Sequence, residues 1–163
     1  NVKYIENFYK NSKFNNCIVE ELVKNVQNPT EYNLIFSAHG LPQKIVDAGD
    51  PYETQMNEHV KILSEILKEK EIRFKSINLA YQSKVGPMKW LEPSLEDMLK
   101  NFREQNILIY PIAFIIDNSE TNFELDIEYR EIAHKLEIKE YKVCKCVNDS
   151  DAFIEVIEDI IKN

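Results

Sequence analysis

Residues 32–42 read Tyr32-Asn33-Leu34-Ile35-Phe36-Ser37-Ala38-His39-Gly40-Leu41-Pro42. The unbroken Leu34-Ile35-Phe36 run has no alternation of apolar with polar side chains, so it suits a strand covered on both faces, as the strands of a parallel sheet are. Small and polar residues follow, and Gly40 and Pro42 end the strand in a loop. A buried strand running straight into a loop that carries an imidazole places a chemically versatile group at the rim of a sheet.

The flanking segments extend this pattern. Before the strand, residues 12–27 place Ile18, Val19, Leu22, Val23 and Val26 at helical spacing until Asn28-Pro29 stops them, while residues 1–9 suit a short strand or an extended entry. After it, residues 53–70 repeat Met56, Val60, Leu63 and Leu67 as an amphipathic helix. Residues 73–81 read as strand, residues 94–104 as a helix capped by Ser94, and residues 106–114 as a second buried strand. Residues 120–136 read as helix, 139–147 as strand and 151–162 as a last helix. Strand and helix thus alternate about five times with no internal linker or repeat, which predicts an α/β fold. The expected architecture is an open, mostly parallel sheet of about four to five strands with helices on both faces, in a single domain over residues 1–163.

Composition narrows the functional classes. With 44% hydrophobic and 29% charged residues in a chain of 163, one substantial core is expected rather than two. A net charge of −8 argues against a general nucleic-acid binder, which needs a basic face. Cys17, Cys144 and Cys146 are an odd set without secretory features and read as free thiols. Cys144 and Cys146 would share a strand face, but two thiolates fall short of the three or four ligands a structural metal site uses. No apolar stretch reaches bilayer length and residues 1–24 lack a signal core, so a cytoplasmic location is expected. The chain begins with Asn1 rather than Met, which reads as a processed chain or, by preference, as a piece of a longer protein. A site at a domain boundary would then be only half present.

Parallel α/β sheets bind ligands at the carboxyl ends of their strands. Three unusual loops fall there: Ser37-Ala38-His39-Gly40-Leu41-Pro42, Gln82-Ser83-Lys84-Val85-Gly86-Pro87-Met88 and Asp117-Asn118-Ser119-Glu120. Gly40, Gly49 and Gly86 are the only glycines, and no glycine-rich phosphate loop follows a strand, so a nucleotide is not the expected ligand. His39 supplies a base that titrates near neutrality and can ligate a transition metal. Glu120 supplies a carboxylate that can accept protons or hold a divalent cation. The pair suits proton removal coupled to metal handling. It does not suit nucleophilic catalysis, since Ser37 and Ser83 lack an elbow motif and Cys17 falls in a helix.

Each of these residues also has an ordinary reading. A histidine at a strand end is often a hydrogen-bonded structural group, and Trp90 alone would be core. His59 and His134, within amphipathic helices, are expected to be solvated or capping groups. Glu120, Glu124 and Glu128 recur every fourth residue, which on a solvated helix face is a tolerated repulsion.

The same loops carry a resemblance. Ser37-Ala38-His39-Gly40-Leu41-Pro42 with Gly49-Asp50-Pro51-Tyr52, then residues 82–91 through Trp90-Leu91, then Pro111-Ile112-Ala113-Phe114 leading into Glu120-Thr121-Asn122-Phe123-Glu124-Leu125-Asp126-Ile127-Glu128-Tyr129, together resemble ferrochelatases in motif and order. The similarity covers nearly the whole chain and corresponds to the second of the family's two α/β domains, so the N-terminal half is expected to be absent.

The resemblance implies insertion of ferrous iron into protoporphyrin IX to form haem, in a cleft between this domain and the missing one. It implies His39 and Glu120 as the facing catalytic and metal-handling pair; beside the ordinary reading, the every-fourth-residue ladder continued by Glu124 and Glu128 suggests a conduit for metal or protons. Trp90, Ser37 and Gln82 are implied to contact the porphyrin. A π-type widening of the helix that starts at Glu120 is also implied. Asn118 departs from the family pattern, where many relatives carry histidine. Iron and porphyrin would be substrates, with no tightly bound cofactor and, since the chain ends at Asn163 without a cysteine-bearing extension, no iron–sulfur cluster. Peripheral membrane contact stays open. The alternatives are a cobalt or nickel chelatase acting on a sirohydrochlorin, and a non-catalytic tetrapyrrole- or metal-binding module.

Overall fold

The computed structural model describes residues 4–162; the part of the entry segment in residues 1–3 lies outside them. Helix α1 (Ser12–Asn25) begins where the Asn11 side chain accepts from the Phe14 N–H, and it buries Phe14, Cys17, Ile18, Val19 and Leu22. A 3-10 turn (Pro29–Glu31) leads into β1 (Tyr32–His39). A short helix α2 (Gln43–Asp47) interrupts the following loop, and α3 (Tyr52–Glu69) starts after Asp50, whose carboxylate accepts from the Tyr52 N–H. Strand β2 (Ser76–Gln82), helix α4 (Leu95–Leu99) and strand β3 (Asn106–Pro111) follow. A π-helix (Glu120–Glu128) continues into α5 (Tyr129–Lys135), and β4 (Glu140–Val143) and α6 (Asp151–Lys162) complete the chain.

The strands form one parallel sheet in the order β2-β1-β3-β4. Successive side chains of a strand point to opposite faces, and the core divides accordingly. Leu34, Phe36 and Ala38 of β1 join Leu108 and Tyr110 of β3 beneath α1, α3 and α6, packed on Ile18, Leu22, Leu63, Leu67, Phe153 and Val156. Ile35 joins Ala80, Ile107 and Ile109 on the other face, under Leu95, Leu99, Leu125 and Ala133. Each of these fully buried aliphatic side chains is worth about 1.5–3 kcal/mol relative to exposure, which is why both faces of the sheet are covered. Ser37 and His39 share parity with Ile35. The end of β1 therefore delivers His39 to the face roofed by the π-helix.

Several expected elements are shorter or absent. Residues 4–8 form no strand; Phe8 instead packs edge-on against Phe14, with ring centroids 5.0 Å apart. The helix expected over residues 94–104 has one turn of α-helix capped by Ser94, then a 3-10 turn at Lys100–Phe102. The strand expected over residues 106–114 ends at Pro111, which has no N–H to donate. The strand expected over residues 139–147 ends at Val143 because the Asp117 carboxylate takes the Cys146 N–H. His59 corrects its expectation: it is buried, at 2% exposure, and bonds Asn15 of α1 at 2.7 Å. His134 is exposed. Cys17, Cys144 and Cys146 are free and buried. Among the described residues no helix is long and apolar enough to cross a membrane.

Candidate active site

The register places His39 beside Gln82 on β2, and Ser37 beside Pro111 on β3. All three loops singled out above leave the sheet at this edge. His39 is held from three sides. Its Nδ1 lies 2.8 Å from the Gly40 carbonyl, the Tyr52 hydroxyl donates to its own carbonyl at 2.9 Å, and the Phe114 ring meets the imidazole edge to face at 6.4 Å between centroids. Burial raises the Tyr52 pKa well above the usual phenol range, so this hydroxyl stays a donor.

A carbonyl oxygen only accepts, so the contact with Gly40 fixes the proton of the neutral imidazole on Nδ1. The other nitrogen, Nε2, then presents a lone pair to Glu120 Oε1 at 3.4 Å. Two acceptors face each other, and a proton or a divalent cation between them satisfies both. The two side chains are 36% and 38% exposed, open enough to meet a ligand. Among the described residues no group of three or more His, Cys, Asp and Glu could hold a metal ion. A cation at this pair would complete its shell with water or with ligand atoms.

Glu120 is set by the start of the π-helix. Asn118 Oδ1 accepts from the Glu120 N–H at 2.8 Å and the Thr121 N–H at 3.4 Å, satisfying donors that a helix N-terminus leaves orphaned. Thr121 closes the motif by donating its hydroxyl to the Asn118 carbonyl. Asn118 is therefore the side chain that caps this helix. Behind it, Asp117 and Asn148 brace the loop, since the Asn148 side chain accepts from the Asp117 N–H and donates to its carboxylate. The Asn148 brace left no sequence signal, because its partner lies in a distant loop, and Tyr52 was readable only as part of the Gly49-Asp50-Pro51-Tyr52 motif and not for its bond to His39.

The π-helix spans nine residues, so its wider turn draws Glu120, Glu124 and Glu128 nearer to one line than an α-helix would. Glu124 is half-buried and Glu128 exposed; both line an open pocket of about 330 Å³ with Lys84 and Glu96. Glu124 turns inward onto the second loop, where its carboxylate accepts from Gln82 and Ser83.

Ser37 and Gln82, expected to contact the porphyrin, present no surface: both are at 0% exposure. The Ser37 hydroxyl donates to the Gln82 side-chain carbonyl at 2.7 Å, and the Gln82 amide reaches the Glu120 carbonyl at 3.4 Å. They tie β1, β2 and the π-helix together from behind the site. Trp90 is half-buried beside the first loop, its indole N–H donating to the Val85 carbonyl at 3.1 Å. Pro42 and Trp90 form an antiparallel bridge, flanked by bonds from Gln43 to Lys89 and from Leu91 to Leu41, which bring the indole to the His39 loop. Val85 and Met88 stand exposed nearby in sequence.

Comparison with known proteins agrees with this construction. A family model described as Ferrochelatase matches residues 1–163. The ferrochelatase of Sulfurimonas denitrificans is 49% identical over 158 residues, which are 96% of this chain and 50% of that one. The ferrochelatase of Wolinella succinogenes is 50% identical over 161 residues, 98% of this chain and 51% of that one. The chain thus spans about half the length of the curated relatives it matches. The crystal structure of DR2241 from Deinococcus radiodurans, a multi-domain protein with structural similarity to chelatases, superposes with a TM-score of 0.59 at 12% identity, over 90% of this chain and 28% of that one. That likeness concerns the fold alone. With its motifs assembled at one sheet edge and the family match covering every residue, the chain belongs to the ferrochelatase family.

Proposed function

We propose that this chain supplies the His39–Glu120 wall of an enzyme that inserts ferrous iron into protoporphyrin IX, the step that forms haem, with the opposite wall contributed by the other half of a protein twice as long. The observation that carries the reading is the facing pair of acceptors, His39 Nε2 and Glu120 Oε1, 3.4 Å apart at an exposed sheet edge. A porphyrin must lose two N–H protons while a divalent ion enters, and an acceptor pair that can hold either a proton or a cation serves both halves of that exchange. A positioned general base contributes on the order of 10²–10⁴ in rate.

In this reading His39 takes a pyrrole proton and Glu120 takes the second proton or steadies the incoming iron. Iron and porphyrin are both substrates, and the reaction calls on no resident cofactor or iron–sulfur cluster. Trp90, with the apolar Val85 and Met88, offers a surface for the macrocycle, and the buried Ser37 and Gln82 fix the frame behind it. Glu128, exposed beyond Glu124, offers a carboxylate at the open pocket where an ion or a proton from solvent can be met. The reaction belongs to the cytoplasm in this reading, with membrane contact a matter for vesicle co-sedimentation. The sirohydrochlorin alternative draws no support from the relatives named above, which are ferrochelatases.

The test is porphyrin metallation by the full-length protein, with ferrous iron and with protoporphyrin or coproporphyrin. Turnover of protoporphyrin with iron is expected, and little or none from the 163-residue chain alone, which has one wall of the cleft. Tetrapyrrole binding without turnover by the full-length protein would replace the reading with a binding module.

A further inference from the structure

The carboxylate of Glu124 is committed to the second loop. Its Oε1 accepts from the Ser83 N–H at 2.8 Å, while Oε2 accepts from the Ser83 hydroxyl at 2.6 Å and from the Gln82 side-chain amide at 3.1 Å. Ser83 has φ +64°, a left-handed conformation uncommon for a residue with a Cβ, and such a conformation persists only where its surroundings impose it. Beyond Ser83 every residue from Lys84 to Lys89 is exposed, and Gly86 takes φ +74°. The chain returns to the fold only at residues 89–91, where Lys89 and Leu91 bond Gln43 and Leu41. Trp90 rides on that return and bonds Val85 within the loop.

We propose that Glu124 is a positioning residue, a latch that holds the front of the 83–90 loop and so fixes the aromatic wall of the site relative to His39 and Glu120. A conduit carboxylate has to release and rebind protons or ions during turnover. Glu124 would have to surrender three donors, one of them the amide of a strained residue, each time it did so. Its position one π-turn from Glu120 suits the latch equally: the same helix carries the Glu120 carboxylate and the clamp, so the aromatic surface and that carboxylate are held in one frame.

Two measurements test this in the full-length protein, using Glu124→Ala and Glu124→Gln. The first is peptide-resolved hydrogen exchange over residues 82–90, which does not depend on the chelatase reading. Exchange there is expected to quicken at least tenfold in Glu124→Ala and less in Glu124→Gln, which keeps one acceptor for the Ser83 N–H, while peptides of β1 and β3 stay protected. The second rests on the proposed function: Glu124→Ala should raise the KM for porphyrin about tenfold and leave the KM for the metal unchanged. Unchanged exchange over residues 82–90 in both variants overturns the latch whatever the enzyme's reaction proves to be. Loss of protection throughout the sheet overturns it in favour of a residue that only stabilises the fold. A raised KM for metal with an unchanged KM for porphyrin overturns it in favour of the conduit. Should Glu124→Ala not fold, Glu124→Gln with Ser83→Gly, which removes the hydroxyl and accepts the positive φ, decides the same question by the same exchange measurement.

Discussion

The Gly40 N–H donates to the Gln82 carbonyl at 2.8 Å, and a Cβ placed on Gly40 would stand 2.7 Å from that same oxygen and 3.3 Å from Cε3 of Trp90. The first two loops of the site therefore touch backbone to backbone, with the indole closing over the contact. A glycine is required here by close approach rather than by its φ.

Gly40→Ala should accordingly force the His39 loop away from β2. Overpacking of this kind costs about 1–3 kcal/mol, read as a lowered urea midpoint with an unchanged slope. The Trp90 fluorescence maximum should shift in the same variant, since Trp90 is the only tryptophan of the 163-residue chain. Wild-type values for both would mean that the two loops part far enough to admit the methyl group at no cost.

Replacing His39 removes one of the two facing acceptors, and because that side chain is 36% exposed its loss takes little from the core. His39→Ala in the full-length protein should lower porphyrin metallation by more than a hundredfold, about 2.7 kcal/mol in the barrier, with far-ultraviolet circular dichroism unchanged. Activity above about a tenth of wild type would remove His39 from the proton transfer.

The Asn118 cap makes a separate prediction. Asn118→Ala orphans the Glu120 and Thr121 amides at the head of the π-helix and should cost about 1 kcal/mol, whereas Asn118→Asp, which keeps the accepting oxygen, should cost less. Thermal or urea unfolding of the three proteins gives the comparison. Equal losses in both variants would show that the side-chain amide, through its bond to the Ile116 carbonyl, matters more than the cap.

What the sequence discloses here follows the range of the interactions. The runs Leu34-Ile35-Phe36 and Ile107-Leu108-Ile109 announce buried strands because cover on both faces leaves room only for apolar side chains. The strand ends are set otherwise. β4 ends at Val143 because Asp117, from another loop, captures the Cys146 N–H, and no local pattern reports such a capture. Within the site, His39 and Glu120 were readable as residues of loops that parallel topology gathers at one edge. The clamp of Glu124 on Ser83 was not, because helical spacing assigns Glu124 to a solvated ladder and says nothing of the loop it faces. His59 did leave a signal. It lies three residues after Met56 and four before Leu63, on the apolar stripe of α3, and its burial follows from that position.

That buried histidine yields a pH prediction. The Asn15 side-chain amide donates to the Tyr9 carbonyl at 2.9 Å, so Asn15 Oδ1 is the atom that meets His59 Nε2 at 2.7 Å, and the imidazole proton sits on Nε2. The rings of Tyr9 and Phe14 flank His59 at 5.8 and 5.9 Å, an apolar setting that disfavours a second proton on the imidazole. Burial lowers the His59 pKa from 6.5 to about 4. In the unfolded chain the group keeps its ordinary value, so between about pH 6.5 and pH 4 the unfolded state holds a proton that the folded state lacks. The stability this group confers is complete above about pH 6.5 and is lost as pH falls toward 4, by about 1.4 kcal/mol per pH unit and about 3 kcal/mol in all. Below that pH His59 contributes no further change. His59→Gln, which can still donate to Asn15 but does not titrate, should remove this slope while other groups keep theirs. The check is a series of urea unfolding curves for both proteins from pH 7 to pH 4.5: their difference in stability should shift steadily across the series, and parallel curves would show that His59 accepts its proton in the folded state at no cost.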